Sequence, residues 1–252
     1  MIVMPANATG WFWHCLARET GRIGHLYSPG AQRGPWPWFP FALDNKIFSY
    51  WDMETNTVDL ERYEVEAMPQ WLQLLSWAAP TGLARWAIVR DVPGNAELTL
   101  EHYERYHRTV ADREINPALA VQDGMTPKDV RQLKNKPTVI CVGGTTEWKW
   151  ETAEEWIKSF PRVHVLRCNS PEKLYWLESL GAESCGFLRE PDIFEPDALT
   201  FCGIGFDFRD AFLFCFLSGF DECFFCGCER GDNSRERFIR AARQVVARRI
   251  AI

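Results

Sequence analysis

The feature that most constrains this chain is a short apolar run that recurs along it and ends each time in a polar or glycine cluster. Such runs are typical of strands that are buried on both faces of a parallel sheet. A helix-like stretch separates each run from the next, which predicts alternating strand and helix units. The five clearest runs are FPFALDN (ending at Asn45), RWAIVRD (Asp91), PALAVQD (Asp123), TVICVGG (Gly144) and VHVLRCN (Asn169).

The number of these units predicts an α/β fold, a (β/α)8 TIM-like barrel. We expect a first strand at IGHLYS (23–28), a seventh at AESCGF (182–187) and an eighth at ALTFCGIGF (198–206). The 252 residues of the chain match the length of one such barrel, which is about 250 residues. An open doubly wound sheet is the competing fold, but no GxGxxG motif follows the first predicted strand.

The composition changes near Phe187, where phenylalanine and cysteine become frequent. We therefore expect one barrel domain over residues 1–252, in which residues 187–252 form a divergent C-terminal extension or subdomain. The chain ends in RERFIRAARQVVARRI, which predicts an amphipathic basic helix. This helix either contacts phosphate groups or is a solvated surface.

Charge, hydropathy and cysteine content exclude several classes of protein. The net charge of −6 argues against a protein that coats nucleic acid by bulk charge. No apolar segment approaches the roughly 18 residues that span a bilayer, and we expect no membrane partner. The nine cysteines are an odd number, which fits reduced thiols and a cytoplasmic location.

Three predicted strands end in an aspartate, namely Asp44, Asp91 and Asp123. Because the carboxyl ends of parallel strands meet at one face, we expect these acids to share a pocket with the other strand-end residues. Two carboxylates that flank a sugar carbon are the usual means of cleaving a glycosidic bond. Each acid could instead cap a helix or loop. Their repeated placement favours an enzyme.

Other strand-end residues suit a planar heterocycle. Gln122 carries both a donor and an acceptor, as needed to bind the edge of a purine-like base. Gly143 and Gly144 allow a flat ligand to approach the backbone, although a tight turn also explains a glycine pair.

Trp148, Lys149 and Trp150 could together stack on a nucleotide and neutralise its charge. Tryptophans at helical spacing, such as Trp148 and Trp156, are more often core residues. His164 lies inside a predicted strand, and we expect it to be a core residue.

A cluster of cysteines near the C-terminus gives a possible zinc site. Thiolates this close in sequence can bind zinc, but no second CxxC pair and no later histidine accompany them. Reduced cysteines in an apolar segment are the alternative interpretation. The candidate ligands are Cys223, Cys226 and Cys228, with Cys215 or Cys202 as the fourth.

Several of these motifs occur together in one known family. The chain resembles the phage and bacterial DNA deazaguanine transglycosylases, relatives of tRNA-guanine transglycosylase, over about residues 22–186. The blocks that carry the resemblance are LYSPGAQRG, ALDNKIFSYW, VRDVPGNAELTL, AVQDGMT, VGGTTEWKW, HVLRCNSPEKL and LGAESC, in this order. The resemblance implies a (β/α)8 barrel that replaces guanine in nucleic acid by a 7-deazaguanine base in its cyano or aminomethyl form.

The resemblance also implies a role for particular residues. Asp44 matches the acid that acts on the sugar or as an acid/base, and Asp91 matches the acid that recognises the base edge. Gln122 matches the glutamine that supports this recognition, and the pair of glycines after TVICV matches the backbone that contacts the base. Phe48 stands where the family has an aromatic residue near the base.

One position departs from the family. Gly186 stands where the family usually has an aspartate, at the place where the tRNA enzymes have their nucleophile. Asp44 or Asp91 then attacks in its place, or a nearby acid such as Glu183 or Asp192 substitutes, or the barrel is inactive.

Together with the strand-end acids, the resemblance implies a transglycosylase that exchanges guanine in DNA for a 7-deazaguanine base. A target guanine must be flipped out of the duplex or already single-stranded, since its glycosidic carbon is otherwise inaccessible. The same exchange on tRNA, an inactive paralogue that binds nucleic acid or a partner, and a hydrolase of small glycosides are the alternatives.

Overall fold

Eight parallel strands form a closed ring in the described part of the chain. The computed structural model describes residues 1–7, 11–52, 54–55, 57–168 and 170–187. The strands are β1 (Ile2–Pro5), β2 (His25–Tyr27), β3 (Phe41–Leu43), β4 (Trp51–Asp52), β5 (Thr57–Val58), β6 (Ala84–Ile88), β7 (Pro117–Val121), β8 (Val139–Val142), β9 (Val163–Val165) and β10 (Ser184–Phe187). The helices are α1 (Trp11–Thr20), α2 (Leu60–Glu66), α3 (Met68–Ala78), α4 (Ala96–Ala111), α5 (Pro127–Gln132), α6 (Thr146–Ser159) and α7 (Pro171–Leu180).

The strand pairing defines a (β/α)8 barrel. Around the ring the order is β1, β10, β9, β8, β7, β6, β3 and β2. The ring closes because Val3 pairs in parallel with Ile23, and Ala6 with Leu26. The two remaining strands, β4 and β5, form a small antiparallel hairpin after β3. This confirms the fold class that the alternating runs predict.

The strand that completes the ring is at the N-terminus, which corrects one prediction. The apolar run IVMP forms β1 and fills the place between β10 and β2. The segment predicted as the eighth strand (198–206) lies outside the described residues and is not needed for closure. The run is only four residues long and ends in proline rather than in a polar or glycine cluster, so the repeated pattern does not include it, although helix α1 follows it as in the other units.

The interior of the barrel is filled by side chains from its strands, as close packing requires. Trp86 has the largest of these side chains and is fully buried. Small residues on β7 and β3 leave room for it. The cluster comprises Met4, Leu26, Ala42, Trp86, Ile88, Ala118, Ala120, Val139 and Cys141.

Helix boundaries follow the local signals. Asn95 caps α4 by accepting a hydrogen bond from the Leu98 amide, and Thr126 forms a capping box at the start of α5. Gly181 ends α7 in the left-handed conformation at φ 85°. The helical segment after β5 is divided into two helices, α2 and α3, which meet at Ala67. None of the described helices is long and apolar enough to cross a membrane.

Candidate active site

Every strand of the barrel contributes a residue to one cavity at the carboxyl end of the sheet. The cavity has a volume of about 600 Å³, in the range of small-molecule sites. Side chains and backbone from the strand ends converge there because all eight strands run in the same direction. The strand-end residues that line it are Asn7, Ser28, Asp44, Asn45, Asp91, Gln122, Gly143, Gly144, Arg167 and Gly186.

The structure therefore brings together most of the residues singled out in the sequence. Asp44 and Asp91 lie in the same cavity as Gln122, and the two glycines after β8 line it as well. Phe48 lines it from the 3-10 helix Ile47–Tyr50 and is 41% exposed. Asn169, predicted to share this pocket, lies outside the described residues.

Asp91 is the most constrained carboxylate in the cavity. Its Oδ1 accepts a hydrogen bond of 2.8 Å from Asn45 Nδ2, and its Oδ2 accepts one of 2.9 Å from Gln122 Nε2. Burial raises the pKa of Asp91 to about 7, opposed by the hydrogen bond from Asn45 and assisted by the negative charge of Asp44. A buried carboxyl group that titrates near neutrality in a cavity is typical of a functional site.

Asp44 is more open to the cavity than Asp91. Burial raises its pKa, and the main opposing influence is a hydrogen bond of 3.1 Å from Ser28 Oγ to Asp44 Oδ2. The backbone amides of Lys46 and Asn45 also donate to this carboxylate. Asp44 is thus held in place while it faces the cavity, whereas both oxygens of Asp91 accept a side-chain amide.

Asn45 is a site residue to which the sequence assigned no role. Its amide nitrogen donates to Val89 O as well as to Asp91, and its side-chain oxygen accepts from the amide of Ile47. It therefore ties the end of β3 to the end of β6 and to the helix that carries Phe48. Its position directly after Asp44, at the end of an apolar run, is the signal that could have identified it.

Two predicted ligand contacts are corrected by the structure. Asp123 does not line the cavity, because its carboxylate accepts hydrogen bonds from the amide and hydroxyl of Thr145 at the start of α6. Lys149 is 2% exposed and also does not line it, and its Nζ donates to the carbonyl oxygens of Leu166 (2.9 Å) and Arg167 (3.3 Å). Both residues position loops that border the cavity.

Glu183 does not face the cavity either. It precedes β10 at the opposite end of the strand and is held by Arg85 (2.7 Å) and by two contacts from Arg162 (2.6 and 2.9 Å). This removes Glu183 as a substitute nucleophile. Asp192, the other substitute, lies outside the described residues.

Gly186 lies in β10 and lines the cavity. A Cβ atom there would lie 3.3 Å from Arg167 N and 3.3 Å from His164 Nε2. A side chain at this position would therefore require its neighbours to shift by a few tenths of an ångström. His164 is fully buried as predicted, with Nδ1 2.8 Å from Ser184 Oγ.

No metal site is present in the described ranges. They contain no group of three or more histidine, cysteine or acidic side chains that could hold an ion. The candidate zinc ligands Cys215, Cys223, Cys226 and Cys228 lie outside those ranges and stay a prediction.

Comparison with known proteins gives only distant structural likeness. No protein-family model matches the chain, and no curated protein matches it. The chain is similar to the tryptophan synthase α2β2 complex of the hyperthermophile Pyrococcus furiosus, at 11% identity and a TM-score of 0.45, over 73% of this chain and 85% of that chain. A mutant tryptophan synthase α-subunit from the same organism gives 11% identity and a TM-score of 0.44, over 74% and 86% of the two chains. The barrel assignment above rests on the strand pairing of this chain itself.

Proposed function

We propose that this protein exchanges guanine in DNA for a 7-deazaguanine base. The observation that carries the proposal is the group of Asp44, Asp91, Gln122 and Phe48 around one cavity of a size suited to a nucleobase. The sequence blocks that resemble the DNA deazaguanine transglycosylases contain all four residues. The cytoplasm of a bacterial cell or of a phage-infected host is the proposed location, and the described cysteines are free thiols.

In the proposed reaction Asp91 binds the base and Asp44 reacts. The Asp91 carboxylate accepts donors on the base edge, and Gln122 and Asn45 hold its orientation through their hydrogen bonds. Phe48 presents an exposed ring on which the base stacks. Asp44 is the attacking group because it is the more exposed of the two carboxylates, whereas Asp91 is buried between the side-chain amides of Asn45 and Gln122.

The exchange consists of two displacements at the same carbon. An Asp44 oxygen forms a bond to the anomeric carbon as the bond to guanine breaks, and the departing base keeps the electron pair and takes up a proton. The deazaguanine then loses a proton from its ring nitrogen and displaces the carboxylate. No net proton is consumed, and the sugar retains its configuration.

Incorporation of labelled deazaguanine into single-stranded DNA tests the proposal. We expect Asp44→Asn to lower the rate at least 100-fold, because an amide oxygen is a poor nucleophile. Asp112→Asn, an exposed acid beyond the end of α4, is the control and should retain the full rate. An inactive wild-type protein, or an unaffected Asp44→Asn variant, would contradict the proposal. A competition assay that offers both DNA and tRNA shows which nucleic acid is the substrate.

A second candidate function is a barrel that binds the base without exchanging it. Gly186 favours it, because this residue lines the cavity where the family carries its nucleophile and close neighbours surround the position. Binding of the base with no incorporation into DNA or tRNA would support this candidate over the first.

A further inference from the structure

Arg167, just after β9, is a charged residue of the cavity that the proposed reaction does not use. Its guanidinium carbon lies 4.3 Å from the centroid of the Phe48 ring, and both side chains line the cavity. This is the shortest contact between a cation and an aromatic ring in the described part of the chain. An arginine in this position places a flat positive group directly over the exposed ring.

The Arg167 guanidinium also contacts the glycine pair that follows β8. Its Nη2 donates a hydrogen bond of 2.7 Å to the carbonyl oxygen of Gly144. The negative charges of Asp123 and Asp91 act on it as well. Arg167 therefore lies among the groups that are proposed to contact the edge and the face of the base.

The backbone at Arg167 is held in an unfavourable conformation. Its φ of 54° is in the left-handed region, which residues other than glycine rarely adopt. The buried ammonium of Lys149 supports it by donating to the carbonyl oxygens of Leu166 and Arg167. Among the described residues, Asn7 and Lys46 also line the cavity with a positive φ. Such conformations persist where the surrounding structure enforces them, often at ligand sites.

The distance between the Arg167 guanidinium and the Phe48 ring leaves no room for a base between them. A planar base stacked between two groups needs about 3.5 Å on each side, or about 7 Å in all. The observed 4.3 Å is therefore too narrow by about 3 Å. The guanidinium covers one face of Phe48, so a base that stacks on that face requires the Arg167 side chain to move away from the ring.

We propose that Arg167 is a base-binding residue that stacks its guanidinium on one face of a purine-type base while Phe48 stacks on the other. The inference rests on the proposed function, whose base site it completes. A guanidinium group is planar and delocalised, and it stacks on aromatic rings and on nucleobases. Its positive charge favours an electron-rich heterocycle such as guanine or a deazaguanine.

Two substitutions separate the properties of the guanidinium. Arg167→Gln keeps a flat group that can donate to Gly144 O but removes the charge, whereas Arg167→Lys keeps the charge but removes the flat group. We expect both to raise the Kd for guanine and for 7-deazaguanine at least tenfold in titration calorimetry. Arg131→Gln is the matched control, since Arg131 also covers a ring (Phe160, 5.4 Å) and donates to a backbone carbonyl, outside the cavity.

The outcomes distinguish this inference from the proposed function. An unchanged Kd in both Arg167 variants would overturn it, and tighter binding would show that Arg167 only blocks the site. A wild-type protein that binds no base would overturn both proposals. Weaker binding in the Arg167 variants, without exchange by the wild-type protein, would leave this inference standing and remove only the exchange activity. Thermal melting of each variant confirms that it folds.

Discussion

Among the residues that line the cavity, Asp91 has the most unusual chemical environment. It is 6% exposed and accepts amide hydrogens on both oxygens, yet burial raises its pKa to about 7. The folded protein therefore binds the proton of Asp91 more tightly than the unfolded chain does. Ionising this carboxyl group costs stability, which a protein tolerates where the group serves a ligand.

We predict that Asp91→Asn changes how stability depends on pH. The native pKa is raised, so the wild-type protein should lose stability as pH rises from about 4 to about 7, and the loss should be complete above that range. A shift of about three units corresponds to a loss on the order of 4 kcal/mol. The variant cannot ionise and should lack this loss. Its side-chain NH2 group is a donor, so the amide of Asn45 or Gln122 has to rotate and present its oxygen to that group.

Urea unfolding at pH 5 and pH 8 measures this effect. The variant should gain stability relative to the wild-type protein at pH 8, and gain less at pH 5. An equal difference at the two pH values would show that Asp91 does not titrate in this range.

At the scale of elements, the carboxyl and amino ends of the barrel strands have different roles. The carboxyl ends present the cavity, while the amino ends are joined by ion pairs such as that of Glu183 with Arg85 and Arg162. Burial alone would raise the pKa of Glu183, but hydrogen bonds from Arg162 and Arg85 hold it below its ordinary value. This ion-pair cluster links the segments that begin β6, β9 and β10.

We predict that Glu183→Gln destabilises the protein by about 2 kcal/mol at pH 7, because charge-assisted hydrogen bonds are lost. Since the native pKa of Glu183 is lowered, its stabilisation is present above the unfolded pKa and is lost as pH falls through the native value. The difference between variant and wild type should therefore shrink below pH 4 in chemical unfolding. Glu154→Gln, which breaks an exposed pair with Lys158, should change stability by less than about 0.5 kcal/mol.

At the scale of the whole molecule, closure of the barrel depends on β1. Val3 donates its amide hydrogen to Arg22 O and accepts one from Gly24 N, both at 2.8 Å, while it pairs with Cys185 on the other side. Without the two bonds to Arg22 and Gly24 the ring would open between β1 and β2, and both strands would present open edges. The cavity would also lose the Asn7 side chain that follows β1.

We predict that Val3→Pro lowers the free energy of unfolding by about 3 kcal/mol or more, because proline removes the amide hydrogen that closes the ring. Val3→Ile keeps that hydrogen and the branched side chain, and it should remain close to the wild-type protein. Equal urea midpoints for the two variants would show that β1 is not required for closure.

The sequence determined the class of fold and the side of the sheet that carries the cavity. Hydrophobic period and strand-end chemistry are local properties. The other seven strands of the barrel, and residues such as Asp44, Asp91 and Gln122, could therefore be located from the chain alone. Only the tertiary structure decided that β1 completes the ring, since closure joins segments far apart in sequence. The tertiary structure also decided which polar groups face the cavity. Asp123 and Lys149 bond to nearby backbone or hydroxyl groups, whereas Asn45 and Arg167 line the cavity. The direction of a side chain depends on neighbours that no local sequence pattern contains.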